Sequence, residues 1–225
     1  MRRVRIAVAL VTVPVLVAGV GYAASQTLTS RKLTVLSAPA PSTGPKATAL
    51  TFTDGGGNDG LPQRLDSLTV MYSETMAAPS ICSTWTSGNS TNYTIDGNGV
   101  VTVTLENDTT SDGKDRLVVS VAGVCGNDFN FGSVNLADAD FVKGTGPATF
   151  YGSSAATPAT TPSKITWNAG NKQLTITLGT QASGTVDDVN GNRVAVYTPD
   201  PDLKSATGTS ITTDTASSPS NKKLF

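Results

Sequence analysis

The sequence predicts an all-β protein, an antiparallel β-sandwich enlarged by extra strands and loops. Short runs alternate apolar residues with Thr and other polar residues at period two, as half-buried strands do. Clusters of Gly, Asn and Asp separate those runs. Past residue 25, no segment repeats apolar residues at i, i+3, i+4 and i+7 over three turns.

The elements follow in chain order. Arg2, Arg3 and Arg5 precede an apolar run from Ile6 to Tyr22 that ends in small residues, the layout of an export signal. Residues 1–25 are therefore a cleaved signal peptide or, since Ile6 to Ala24 is close to the roughly 20 residues that span a bilayer, a retained membrane anchor helix. Pro14, Gly19 and Gly21 weaken such a helix and favour cleavage. Either way the arginines stay cytoplasmic and the rest of the chain lies outside. Residues 26–46 form a linker that closes with the proline-punctuated Ser37 to Pro45 stretch, too stiff for a helix or a central strand.

From Ala47 the strands begin. Leu68, Val70 and Tyr72 share one face. So do Val101, Val103 and Leu105, then Leu117, Val119 and Val121, and finally Leu174, Ile176 and Leu178. Asp96 to Gly99 and Asn168 to Asn171 supply residues that tolerate positive φ, and each reads as the turn of an antiparallel hairpin. The nearest helical candidate is one turn around Thr75 to Ile81, stopped by Pro79. Trp85 and Trp167 read as core residues rather than exposed rings. The sandwich spans residues 47–214, and the tail, 215–225, has no periodic pattern and reads as disordered.

Export governs how the two cysteines are read. In an oxidising compartment Cys82 and Cys125 most simply form one disulfide, closing a loop of about 43 residues for roughly 3–4 kcal/mol of stability in the chain-entropy model. A redox or nucleophilic thiol lacks both the CxxC spacing and a neighbouring base.

Leu68-Thr-Val-Met-Tyr-Ser-Glu-Thr-Met76 resembles the strand followed by Phe/Tyr-Ser-Glu-x-Met that marks bacterial Ig-like domains of surface-layer and other cell-surface proteins. Val186-Asp-Asp-Val-Asn-Gly-Asn192 is similar to the V-x-D-x-x-G-N turn before the final strand of such domains, and Ser210 to Asp214 fits that closing strand. The two motifs lie about 110 residues apart, against a family unit nearer 100, and the cysteines fall in the excess. The resemblance implies an Ig-like fold and an extracellular spacer, adhesive or structural module without catalysis. Read as residues alone, Ser73 and Glu74 hold a strand end and Asp187 and Asn190 form Asx turns.

Composition excludes much chemistry. The 225 residues contain no His, which removes Ser-His-Asp and Cys-His catalysis and His-ligated zinc or haem. Charged residues are 15% of the chain, against about 25% in ordinary domains. Loss of residues 1–25 would leave 13 basic residues against 17 acidic ones, a net charge of −4. That balance argues against nucleic acid and anionic lipid as partners; a membrane is met only through the N-terminal segment, if that is retained.

Gly55 to Gly60 satisfies GxGxxG, but Leu61-Pro62 replaces the helix that would hold a pyrophosphate. Ser111 and Lys114 have SxxK spacing, and Ser87-Gly-Asn89 resembles the second motif of the penicillin-binding enzymes; the order is reversed and a Gly-rich loop replaces the required helix. Glu74 and Glu106 are the only glutamates, and a glycoside hydrolase would need them facing one another across a cleft. Calcium is the ligand for which donors exist, in loops holding Asp54/Asn58/Asp59, Asp108/Asp112/Asp115 and Asp187/Asp188/Asn190/Asn192, although none has EF-hand spacing and ordinary turn chemistry accounts for the same residues. Sequons at Asn89, Asn92 and Asn107 offer glycosylation sites.

The sequence thus predicts no catalytic residue and no obligatory cofactor. It describes an extracellular module, secreted or cell-surface, whose partner is a cell-surface protein or polysaccharide. The rival reading is a carbohydrate-binding module with Trp85 or Tyr93 as its platform, and the hydrolase is a distant third.

Overall fold

A computed structural model describes residues 44–97, 99–107, 112–126, 129–151 and 161–225, all within one compact unit, Ala40–Phe225. The leader and most of the linker lie outside the described residues. In chain order the elements are β1 (Ala47–Thr53), β2 (Ser67–Tyr72), α1 (Ala78–Ile81), β3 (Tyr93–Ile95), β4 (Val101–Glu106), β5 (Arg116–Val121), β6 (Gly132–Asn135), β7 (Ala148–Phe150), β8 (Lys164–Asn168), β9 (Gln173–Thr177), β10 (Gln181–Ser183), β11 (Val196–Pro199) and β12 (Ala216–Ser217).

The strands form two antiparallel sheets. One has five strands in the order β1-β2-β9-β8-β3, and the other has seven in the order β10-β7-β4-β5-β6-β11-β12. The alternation in sequence is the reason for both. Leu68, Val70 and Tyr72 of β2, Leu174 and Ile176 of β9, and Ile165 and Trp167 of β8 are buried, as are Val101, Val103 and Leu105 of β4. All belong to one continuous hydrophobic core, so the arrangement is sandwich-like, with intervening Thr, Ser and Gln left in solvent. Strand β1 breaks the alternation, since Ala47 and Leu50 are both buried three residues apart. The register shifts between Ala47 and Ala49, and this bulge turns the strand so that both side chains face inward.

Four expectations need correction. The Asp96 to Gly99 turn is no hairpin: β3 pairs with β8 in one sheet and β4 with β5 and β7 in the other, so this connection crosses between sheets. Pro79 does not stop a helix but opens one, standing in the first turn of α1, where its missing N–H costs nothing. Ser210 to Asp214 forms no ladder; the strand after the Val186 to Asn192 turn is β11, closed by β12. The tail is ordered, because Phe225 is 1% exposed and its ring meets Phe52 and Phe141 edge-on at 5.1 and 5.6 Å.

The other turn does form a hairpin, although the positive φ falls on Lys172 and on none of Asn168 to Asn171. Strands β8 and β9 pair through Asn168 and Gln173, and Asn168 Oδ1 accepts from Asn171 N–H at 3.0 Å. Lys172 adopts the positive φ, +57°. It is held there by Tyr72 N–H on its carbonyl at 2.9 Å and by its own ammonium, which donates to Ser73 O at 3.0 Å.

Candidate functional site

Cys82 and Cys125 are bonded, with Cα atoms 4.7 Å apart. Cys82 caps α1 in the connection that leaves β2 of the five-stranded sheet, and Cys125 lies in the β5–β6 loop of the other. The cystine therefore ties loops that belong to opposite sheets. Ser83 Oγ donates to Cys125 O at 2.6 Å, and Asn130 reaches back to Ile81 O through its N–H and to Ser80 O through Nδ2. Both cysteines are fully buried, so the sulfurs brace the fold and meet no solvent-borne reactant.

The carboxylates proposed for catalysis are separated by topology. Glu74 lies in the bend after β2 and Glu106 ends β4, strands of different sheets rather than neighbours. Trp85 is 4% exposed, and its ring stacks on Tyr93 at 4.7 Å with planes 6° apart. Each ring thus covers a face of the other that a sugar would need. Of the SxxK pair, Ser111 lies outside the described residues, and Lys114 sits in a loop before β5.

The three acid-rich loops are put to different uses. Asp54 Oδ1 accepts from Gly56 and Gly57 N–H at 2.9 and 3.0 Å, which lowers its pKa. Beside it stands Asp66, which the sequence reading passed over. It is buried, and it accepts Gly55 and Gly56 N–H on Oδ1 and Gln63 N–H on Oδ2 at 2.6–3.1 Å. Burial raises the Asp66 pKa and the nearby Asp54 charge adds to the rise, while the three N–H groups oppose it. The start of the GxGxxG loop is thus folded around this protein's own carboxylates, with the Gly55, Gly56 and Gly57 N–H groups already occupied. In the second loop Asp108 lies outside the described residues, Asp112 pairs with Arg116 and Asn135, and buried Asp115 accepts Val142 N–H at 2.9 Å.

The first and third loops meet at the C-terminal segment. Gly60 N–H donates to Phe225 O, and Val189 N–H donates to Gly60 O. Gly60 has φ +103°, which strains any other residue, and a Cβ there would also displace the ends of the Asp188 and Lys223 side chains. Lys223 Nζ donates to Asp59 O at 2.7 Å and Asn190 Oδ1 at 3.4 Å, and lies 3.7 Å from Asp188 Oδ1. The Lys223 ammonium thus bridges oxygens of two of the loops that the calcium reading named. Among the described residues, no group of three or more His, Cys, Asp or Glu is placed to hold a metal. A cleft of about 530 Å³ opens alongside, bordered by Thr53, Asp54, Asp59, Asn192 and Lys222.

The core holds a polar bridge that alternation could not reveal. Tyr197 OH donates to Phe131 O at 2.6 Å, leaving Tyr72 OH to donate to Tyr197 OH at 3.0 Å. Burial raises both phenol pKa values, so this inter-sheet pair stays protonated. Two sequon amides are also engaged: Asn107 Nδ2 donates to Gly144 O at 2.5 Å and Asn89 Nδ2 to Ala206 O at 3.4 Å. Asn92 is exposed and uses only its Oδ1, accepting Ala169 N–H. It is the sequon whose Nδ2 a glycan could take while Oδ1 keeps its bond to the Ala169 N–H.

Comparison with protein-family models, with curated proteins and with solved structures found no match.

Proposed function

We propose that this chain is an exported, non-catalytic structural or adhesive module of the cell surface, built as an Ig-like β-sandwich. The observation that carries the reading is the buried Cys82–Cys125 bond, a linkage that persists in oxidising compartments. The basic-then-apolar leader and the resemblance of residues 68–76 and 186–192 to bacterial Ig-like domains point the same way. The remaining polar groups support a passive role, since Asp54, Asp66, Asp115 and Lys223 are committed to closing loops. A sugar-binding module built on Trp85 and Tyr93 is less favoured, because those rings stack on one another.

The test is protease shaving of intact bacteria expressing the full chain, with fractionation. The reading expects the protein in the envelope or the medium, accessible to protease and unreactive toward thiol reagents. Recovery from the cytosol with two free thiols contradicts it.

A further inference from the structure

Two Asn–Gly dipeptides occur in the chain, Asn98–Gly99 and Asn190–Gly191. A glycine after an asparagine leaves its backbone nitrogen unshielded by a Cβ. That nitrogen can then attack the side-chain amide carbon of the residue before it, an intramolecular reaction favoured by proximity. The fold treats the two dipeptides differently. Gly99 N–H donates to Tyr151 O at 3.2 Å, so the nitrogen that would react is held in a hydrogen bond; Asn98 itself lies outside the described residues. Asn190 and Gly191 are both exposed and belong to no strand. Among the described residues, nothing accepts a hydrogen bond from Gly191 N–H or from Asn190 Nδ2.

The Asn190 carbonyl is engaged where the reaction would use it. Its Oδ1 accepts from the Lys223 ammonium at 3.4 Å, and that ammonium is fixed from its other sides by Asp59 O at 2.7 Å and Asp188 Oδ1 at 3.7 Å. Attack by Gly191 N on Asn190 Cγ moves negative charge onto Oδ1, beside a cation already in place. The N–Cγ bond forms, the Cγ–Nδ2 bond breaks, and the proton lost from Gly191 N leaves with Nδ2 as ammonia. Water then opens the cyclic imide at one of its two carbonyls, giving aspartate or isoaspartate. The net change is hydrolysis of an amide, with no oxidation or reduction.

We infer that Asn190–Gly191 is a self-deamidation site of the folded protein, with Lys223 stabilising the charge that develops on Oδ1. Conversion replaces a neutral acceptor of the Lys223 ammonium with an anionic one, and so alters the contact by which Lys223 joins the C-terminal segment to the Asp188 to Asn190 loop. Local sequence ranks the two dipeptides the other way. Asn98 stands between Gly97 and Gly99, whereas Asn190 follows Val189, whose β-branched side chain restricts the chain beside the reacting residue. An unfolded chain therefore converts Asn98 first, and faster conversion at Asn190 is a property of the fold. The inference is independent of the export and adhesion readings.

The experiment incubates the disulfide-bonded full chain in neutral buffer at physiological temperature, beside the reduced chain unfolded in urea. Samples are digested, and amide-to-acid conversion of each asparagine is followed by peptide mass, with chromatographic separation of the aspartate and isoaspartate forms. The folded chain is expected to convert Asn190 about tenfold faster than Asn98, with the order reversed in urea. Asn190→Gln, which would need a larger ring, is expected to leave this peptide unconverted. Lys223→Met is expected to slow conversion at Asn190 about threefold in the folded chain and to leave the rate in urea unchanged, while Lys223→Arg keeps the charge and the rate. Any of three outcomes overturns the inference: an intact Asn190 in the folded chain, Asn98 converting first in folded and unfolded chains alike, or a rate at Asn190 that is unchanged or raised in Lys223→Met.

Discussion

Asp66 shows how much one side chain decides at the residue scale. Its carboxylate is the shared acceptor for three backbone N–H groups of the Gly55 to Gln63 loop, and truncation would leave those donors without it. Asp66→Ala is expected to cost about 2–4 kcal/mol, read from denaturant midpoints at unchanged m. The acids also set a pH dependence of opposing signs. Asp66 holds its proton more tightly folded than unfolded, so stability rises as pH falls through its raised pKa toward the ordinary 3.8. Asp54 and Asp187 are held below 3.8, by Gly57 and Gly56 N–H and by Lys143 respectively, so their contribution is present above 3.8 and is lost as pH falls through their lowered values. Stability measured by chemical denaturation is expected to rise and then fall with acidification, and Asp66→Asn is expected to remove the rise.

The tyrosine pair yields a second residue-scale prediction, and its direction comes from the donor order. Tyr72→Phe removes one donated bond and leaves Tyr197 still bonded to Phe131 O, a loss of about 1 kcal/mol. Tyr197→Phe strands both the Tyr72 hydroxyl and the Phe131 carbonyl in the core, and is expected to cost about 2–3 kcal/mol. Equal losses for the two variants, compared by thermal or denaturant unfolding, would contradict the assigned direction.

At the scale of elements, the C-terminal segment is part of the core. Phe225 packs against Phe52 of β1 and against Phe141, and Lys223 draws together the Asp59 and Asp188 to Asn190 loops. Phe225→Ala is expected to destabilise by about 3–5 kcal/mol, whereas a disordered tail would give no change in Tm. Strands were legible in the sequence because burial at period two is a local property. The runs at Leu68 to Tyr72, Val101 to Leu105 and Leu174 to Leu178 all became core. Pairing was not legible, because it is settled at long range. Strand β2 joins β9 across a hundred residues, and nothing local distinguishes the sheet-crossing Asp96 to Gly99 turn from the true hairpin at Asn168. Asp66 and Asp115 look like any turn acids until burial shows that they are not solvated.

For the whole molecule, two sheets bury their alternate side chains in one core, and a single covalent bond links loops of both. That bond closes a 43-residue separation, worth about 4 kcal/mol through restriction of the unfolded chain. Reduction is therefore expected to lower the unfolding free energy, read from the denaturant midpoint and m, by about that amount while the β-rich circular dichroism is retained under native conditions. The pairing of the two cysteines was readable because two thiols allow one intramolecular pairing; the opposite sheets they brace were not.

The most direct measurement is the intact mass of the chain recovered from outside the cell, taken without reductant and again after reduction and alkylation. The account predicts a disulfide-bonded species with no alkylatable thiol before reduction and two afterwards. Two free thiols in the untreated protein would contradict it.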